Sequence, residues 1–271
     1  MKYLDAMTQA QRFTAKYAHY APLYDQVIDT LPDTPTVLEI GIANGGSLET
    51  WRRIFGDGAR IIGVDLNERC RSLEADGYEI FILDTGTSEA WDELWGAVGR
   101  SVDLLVDDGG HTNRQQISAV VHGIDLVRDG GWLVVEDMHA SFIHEFGNPS
   151  RFSTARFFDE LSDDLHRIHP RSEAGPHHPR LAGAVEYSLT ASSWVGLRVN
   201  RRGAGHEEIT AGEDRSLMDY DHRWDSAFGR SLEGRLPSPL LRLFRNRLTR
   251  RIDAVSDRRL FRRDATERRP Q

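Results

Sequence analysis

Val102-Asp-Leu-Leu-Val-Asp-Asp-Gly-Gly-His111 is an apolar run that ends in two acids, two glycines and a histidine, and its reading decides the fold. The next apolar run, Gly131-Trp-Leu-Val-Val135, leads in the same way into Glu136-Asp137. Short Val/Leu-rich runs bounded by turn signals read as buried strands. In an open α/β sheet, ligands bind outside the carboxyl ends of the strands. Acids at the tips of two neighbouring strands would therefore converge on one crevice. Asp108, Glu136 and Asp137 supply hard oxygen donors for a divalent cation such as Mg²⁺, and His111, three residues after Asp108, supplies a base. The plainer account, that acids end strands because chains turn there, explains one such tip better than two.

Outward from this stretch, the same pattern repeats. Strands are predicted at Thr36–Ile40, Arg60–Val64 and Tyr78–Leu83, with helices over Ser47–Phe55, Ser88–Val98 and about Asn113–Val127. Asp129-Gly-Gly131 reads as the turn into the strand that ends at Glu136. Alternation at βαβ spacing predicts a parallel, doubly wound sheet. Ala184–Thr190 and Ser193–Val199, joined by a tight Ala-Ser-Ser connection, predict an antiparallel hairpin closing it as a seven-stranded sheet. Residues 1–35 read as an N-terminal helical segment, with one or two amphipathic helices over about Thr8–Leu31, Pro22 marking a boundary or the start of the second, and several aromatics (Phe13, Tyr17, Tyr20, Tyr24). Residues 36–200 form the predicted catalytic domain. After Glu136 comes a long irregular connection carrying His139, Phe142, His144 and Phe146, then a helix over Ser150–His166. His169–Gly183, with three Pro and three His, reads as a mobile surface segment. Residues 201–271 form an extension with no core pattern, apart from a short basic amphipathic helix over Ser238–Leu248.

Composition narrows the function class. The 271 residues suit one large α/β domain with additions. A formal charge of −8 argues against a nucleic-acid binder driven by phosphate contacts. From Leu236 onward, however, eleven Arg face four acidic residues. That end reads as solvated, as docking on another subunit, or as touching an anionic membrane. The single cysteine, Cys70, excludes an internal disulfide and a cysteine-based zinc site. With no cleavable signal and no apolar run near twenty residues, a soluble cytoplasmic protein without a transmembrane segment is expected.

A second constellation is Val37-Leu-Glu-Ile-Gly-Ile-Ala-Asn-Gly-Gly-Ser47. Its glycines let the backbone approach a ligand closely. The spacing is neither the dinucleotide pattern nor a P-loop, which lacks its lysine here. An acid before a glycine turn suits a ligand with positive charge, such as a sulfonium or an amino acid group. Asp65, at the end of strand two, is placed to accept both hydroxyls of a ribose. Glu39, Gly41, Gly45 and Asp65 together read as an S-adenosylmethionine pocket. Asn44 and Ser47 of the same turn, Asp84 beside the adenine and Asp107 complete the candidate cofactor contacts.

These motifs resemble the class I S-adenosylmethionine-dependent methyltransferases. Asp-Asp-Gly-Gly-His followed, 28 residues after its second Asp, by Glu-Asp is similar to the metal-dependent O-methyltransferases of antibiotic biosynthesis, above all the macrolide and rhamnosyl sugar 2-O-methyltransferases of the mycinamicin type. The resemblance covers about Thr36–Val199. It implies a Rossmann-like class I fold, Mg²⁺ on Asp108, Glu136 and Asp137, and His111 as general base. Those sugar enzymes carry a substantial N-terminal auxiliary domain, whereas only about 35 residues stand there in this chain.

The expected activity is methylation of one hydroxyl of a vicinal diol on a sugar, in a secondary metabolite or glycolipid, by a homo-oligomeric enzyme. Two adjacent hydroxyls can fill positions on Mg²⁺, whose coordination lowers the pKa of the reacting one. A catechol-type enzyme on an aromatic ortho-diol is the alternative within the same fold, and a non-catalytic S-adenosylmethionine-binding protein the alternative outside it. His139 and His144 are second candidates for the base. Phe142 and Phe146 suit loop anchors as well as pocket walls.

Overall fold

The computed structural model describes residues 1–146 and 151–202. The expected Arg-rich extension, its helix over Ser238–Leu248 and the start of the helix predicted from Ser150 lie outside the described residues.

The elements follow in order α1 (Tyr3–Thr8), α2 (Ala21–Ile28), β1 (Thr36–Ile40), α3 (Gly46–Phe55), β2 (Arg60–Asp65), β3 (Glu79–Ile82) and α4 (Ser88–Val98). Then come β4 (Val102–Asp107), α5 (Asn113–Gly123), β5 (Val127–Val135), α6 (Thr154–Arg167), α7 (Pro179–Ala182), β6 (Val185–Ala191) and β7 (Trp194–Val199). The seven strands form one sheet in the order β3-β2-β1-β4-β5-β7-β6. The first five are parallel; β7 runs antiparallel between β5 and β6. The predicted doubly wound sheet and terminal hairpin are both present, with Ser192-Ser193 forming the hairpin's two-residue turn.

Both faces of the sheet are buried, as parallel sheets require, and strand alternation divides the core in two. Leu38, Ile62, Leu105 and Leu133 face a layer that contains Trp91, Val120 and Phe158. Val37, Ile61, Leu104, Trp132 and Val134 face the other layer, where Tyr3, Tyr24 and Trp51 pack. Tyr3 stacks on Tyr24 at 4.5 Å between ring centroids, and Tyr24 meets Trp51 edge-on at 5.4 Å. The N-terminal segment is thus part of the domain core.

Several local expectations change. Over Thr8–Leu31 one α-helix forms, α2, with Pro22 in its first turn; α1 ends at Thr8, and residues 9–17 between them carry no helix or strand. Asp129-Gly-Gly131 lies inside β5, where the register shifts: Val127 pairs with Val102, but the next pair is Trp132 with Leu104. Gly130, at φ +83°, absorbs that irregularity. His169–Gly183 is tied down by α7, whose Leu181 and Ala182 are buried. Its anchor is Asp164 on α6, fully buried, which accepts the backbone N–H groups of His177 (2.8 Å) and His178 (2.7 Å).

Burial opposes ionisation of Asp164, but those two N–H groups outweigh it and hold the carboxyl below the usual aspartate range. A depressed acid stabilises the fold above its unfolded pKa, and that contribution is lost as pH falls through the lower folded value. For Asp164 it is complete above about pH 4. Asp164→Ala should reduce unfolding free energy by about 2–4 kcal/mol, from two N–H groups left without their charged acceptor. Urea unfolding at neutral pH measures this, and a loss below about 0.5 kcal/mol would remove the anchor role.

Candidate active site

The strand order reverses between β1 and β4, which makes the crevice above their carboxyl ends the ligand site of such a sheet. The two turns interlock there. Gly41, at φ +83°, follows β1, and a Cβ on it would lie 2.2 Å from the Asp108 carbonyl oxygen. Only glycine allows that approach. A cavity of about 300 Å³ opens beside it, lined by Gly41, Ala43, Asp65, Leu83, Thr85 and Gly109 among others. A second, of about 400 Å³, is lined by Asn44, Arg12, Phe13, Asn67, Cys70 and Leu73.

Of the residues assigned to the cofactor, Gly41 and Asp65 line the first cavity and Asn44 the second. The Asp65 carboxylate organises the glycine turn: Oδ2 accepts Ile42 N–H (3.0 Å) and Ala43 N–H (3.1 Å), and Oδ1 accepts Asn67 N–H (2.9 Å). Gly45 (φ +82°) caps α3, and Ser47 is buried in its first turn. Glu39 is fully buried under the turn, where it accepts Trp51 Nε1–H at 2.7 Å. Burial pushes its carboxyl up, against the opposing pull of Lys16 and of the Trp51 hydrogen bond. Asp84 turns the chain after β3 by accepting Gly86 N–H at 2.9 Å, and Thr85 rather than Asp84 lines the cavity. Asp107 is buried, with Oδ1 on Gly109 N–H (3.2 Å) and Oδ2 without a partner. Burial lifts its carboxyl to about 7.

Asp108, His111 and Asp137 come together: one ligand atom from each lies within 4.8 Å of the others. His111 Nε2 is 3.4 Å from Asp137 Oδ2, and its buried Nδ1 has no partner. Both His111 (φ +56°) and Asp137 (φ +54°) adopt the left-handed region. Such backbone costs about 1–3 kcal/mol per residue and clusters where function requires it. The Asp137 carboxylate is also steadied by Tyr20 Oη at 3.1 Å, and Phe146 meets the His111 ring edge-on. His139 is engaged instead with Ser193 Oγ at 2.5 Å, and His144 is exposed. Phe142 is exposed and lines a separate cavity with Arg151 and Arg156.

Glu136 does not turn its carboxylate to that trio. It is buried, accepts a hydrogen bond from Tyr24 Oη, and faces Lys16 Nζ at 3.0 Å. The cause is strand alternation. Glu136 continues the Trp132–Val134 face toward the N-terminal layer, while Asp137 flips out through its left-handed backbone. Glu39 and Asp108 continue the matching faces of β1 and β4. Lys16 enters from that layer and meets all three acids, with Asp108 Oδ2 at 2.7 Å and Glu39 Oε1 at 3.4 Å. Burial alone would lower its pKa, but Glu136, Glu39 and Asp108 together hold the ammonium well above its ordinary value. Burial likewise pushes the Glu136 carboxyl up, with Lys16 opposing.

Lys16, Tyr20, Tyr24 and Trp51 were not read as site residues. One signal was present: Lys16 is one of only two lysines in the chain, four and eight residues before two tyrosines.

No protein-family model matches the sequence. The chain is 30% identical over 213 residues to 8-demethyl-8-alpha-L-rhamnosyl tetracenomycin-C 2'-O-methyltransferase of Streptomyces olivaceus, covering 73% of this chain and 52% of that protein. It is 30% identical over 148 residues to mycinamicin VI 2''-O-methyltransferase of Micromonospora griseorubida, covering 50% of this chain and 36% of that one. Among solved structures, the MycE methyltransferase of the mycinamycin pathway, in complex with Mg and SAH, superposes with a TM-score of 0.66 at 21% identity over 80% of this chain and 59% of its own. The chain is related to the antibiotic sugar O-methyltransferases.

It therefore has the class I methyltransferase fold, with its strand order reversing at the crevice between β1 and β4. This methyltransferase-fold chain spans about half the length of the first curated relative and less of the other. No helix among its described residues is long and apolar enough to cross a membrane.

Proposed function

We infer that the chain is an S-adenosylmethionine- and Mg²⁺-dependent O-methyltransferase that methylates one hydroxyl of a vicinal diol on the sugar of a glycosylated small molecule. The observation that carries this is the convergence of Asp108, His111 and Asp137 within 4.8 Å, beside the cavity opened by the glycine turn. Carboxylate oxygens suit Mg²⁺, and the strained backbones of His111 and Asp137 fit a built site. The sugar acceptor is supported by the rhamnosyl tetracenomycin-C and the mycinamicin VI that the relatives' names give. Action in the cytoplasm, as a homo-oligomer, belongs to the same reading and is tested by fractionation and gel filtration.

In this reading Asp108 and Asp137 hold the ion, and Glu136 joins them. Gly41, Asn44, Gly45 and Asp65 hold S-adenosylmethionine, with Glu39, Ser47, Asp84 and Asp107 supporting the turns around it. Bound there, Mg²⁺ lowers the pKa of a coordinated hydroxyl and S-adenosylmethionine supplies the methyl group. His111 takes the hydroxyl proton at Nε2, the ring nitrogen that faces the acidic crevice. Asp137 Oδ2, 3.4 Å from that nitrogen, stabilises the ring's charged form once the proton has arrived. Tyr20 keeps Asp137 in place.

Transfer of labelled methyl groups to rhamnosylated acceptors and to catechols, each with Mg²⁺ or with excess chelator, tests the whole reading. Transfer to the sugar acceptors only, lost in chelator, is expected. Preference for catechols would move the enzyme to the aromatic class, and full activity in chelator would remove the metal.

Asp65→Ala should weaken S-adenosylmethionine binding by about 1–3 kcal/mol, because ribose hydroxyls and the turn's own N–H groups both lose their acceptor. Calorimetry measures this, and unchanged affinity would take Asp65 out of the pocket.

A further inference from the structure

Residues 9–17 carry no regular structure, yet they are fastened at several points across the carboxyl end of the sheet. The N–H groups of Gln11 and Arg12 donate to Glu49 Oε2 at 2.9 and 3.0 Å, and the Arg12 guanidinium pairs with Asp76 at 2.5 Å. The carbonyls of Arg12 and Phe13 press on Gly46, where a Cβ would meet each oxygen at 2.5 Å. The strap thus lies directly on the glycine turn. Its last anchor is Lys16, whose side chain is only 4% exposed, against 73% for Lys2.

The Lys16 ammonium has three protons to donate and three carboxylates to receive them: Asp108 at 2.7 Å, Glu136 at 3.0 Å and Glu39 at 3.4 Å. Glu39 and Glu136 are fully buried and Asp108 is partly so, and an ammonium among them offsets the cost of keeping these carboxylates ionised together. A divalent ion on Asp108 would lie within a few ångströms of that ammonium in a poorly screened site, and the two cations would repel. Glu136 faces the same choice, since its carboxylate serves either Lys16 or an ion shared with Asp108 and Asp137.

Building on the divalent-ion reading above, we propose that Lys16 is a tethered counter-cation of the acidic centre: it occupies Asp108 and Glu136 in the metal-free protein and leaves them when the ion binds, freeing Glu136 to join the metal ligands and loosening the strap over the glycine turn. Metal affinity is then set partly by the release of Lys16, and the cover on the cofactor turn is coupled to metal loading.

Two measurements on the full chain decide this. Mn²⁺ binding, followed by calorimetry, should be about tenfold or more tighter in Lys16→Gln than in the parent, because the competing charge is gone. In the parent itself, amine acylation read by mass spectrometry should label Lys2 but not Lys16 in chelator, and label both in saturating Mg²⁺, with Lys2 as the internal reference. The labelling requires no variant, so it decides even if Lys16→Gln fails to fold. Equal or weaker Mn²⁺ binding by Lys16→Gln, or a Lys16 that stays protected at saturating Mg²⁺, overturns the proposal and makes Lys16 a permanent member of the site. Absence of Mn²⁺ uptake by both proteins overturns the metal reading as well.

Discussion

Asp108→Ala should lower methyl transfer by about 10³-fold or more while S-adenosylmethionine still binds. Asp108 is the residue on which the site's parts meet. Its carboxylate belongs to the trio with His111 and Asp137 and is also the shortest contact of Lys16, at 2.7 Å. Its backbone carbonyl packs against Gly41, so the main chain at this position is fixed by the turn and survives the substitution. The loss should therefore fall on metal holding and on turnover. Polarisation of a hydroxyl by a bound ion is worth several kcal/mol of transition-state stabilisation, and each 1.4 kcal/mol is about tenfold in rate, which sets the scale. Single-turnover transfer at saturating cofactor, alongside calorimetry for S-adenosylmethionine, separates the two effects. Activity within tenfold of the parent would show that Asp108 is not the metal acid.

His111→Ala should lower turnover by about 10²–10⁴-fold, the usual contribution of a positioned base. A sugar hydroxyl does not ionise readily near neutrality, so the proton must go somewhere as the oxygen attacks. His111 offers a ring held from two sides: Nε2 faces Asp137 at 3.4 Å, and Phe146 closes against the ring. Its backbone is left-handed (φ +56°), and its ring stands together with the Asp108 and Asp137 carboxylates. His139 lacks that freedom, because Ser193 holds its Nδ1 at 2.5 Å. Since His111 also stands in the metal trio, Mn²⁺ affinity should be measured in the same variant. Unchanged affinity with lost turnover assigns it as base, and a parallel fall in both makes it a ligand. Near-normal turnover in His111→Ala, with a large loss in His139→Ala, would transfer the base to His139.

Local patterns carried most of the architecture. Val102–Val106 and Gly131–Val135 are short, apolar and followed by turn residues, which suits strands buried on both faces. The glycines at 41, 45 and 46 mark close backbone approaches, and Gly41 against Asp108 is the clearest. Asp65 could be placed at a strand tip from sequence, but its hydrogen bonds to Ile42 and Ala43 N–H could not. The short helix at Pro179–Ala182 was hidden because its anchor, Asp164, belongs to another element and receives N–H groups that carry no sequence signature.

The sequence by itself determined the order of strands and helices, the acidic ends of β4 and β5, and the glycine turn after β1. Burial periodicity and turn chemistry are local properties, written in residues two to four positions apart. Only the tertiary structure decided how the acids divide. Alternation sends Glu39, Asp108 and Glu136 toward the N-terminal layer, and left-handed backbone returns Asp137 to His111. Lys16 reaches those three acids across 23, 92 and 120 residues of chain. No local pattern encodes such a meeting. It exists because Tyr3 and Tyr24 pack the N-terminal segment against Trp51 and leave a lysine there as the cation among Glu39, Asp108 and Glu136.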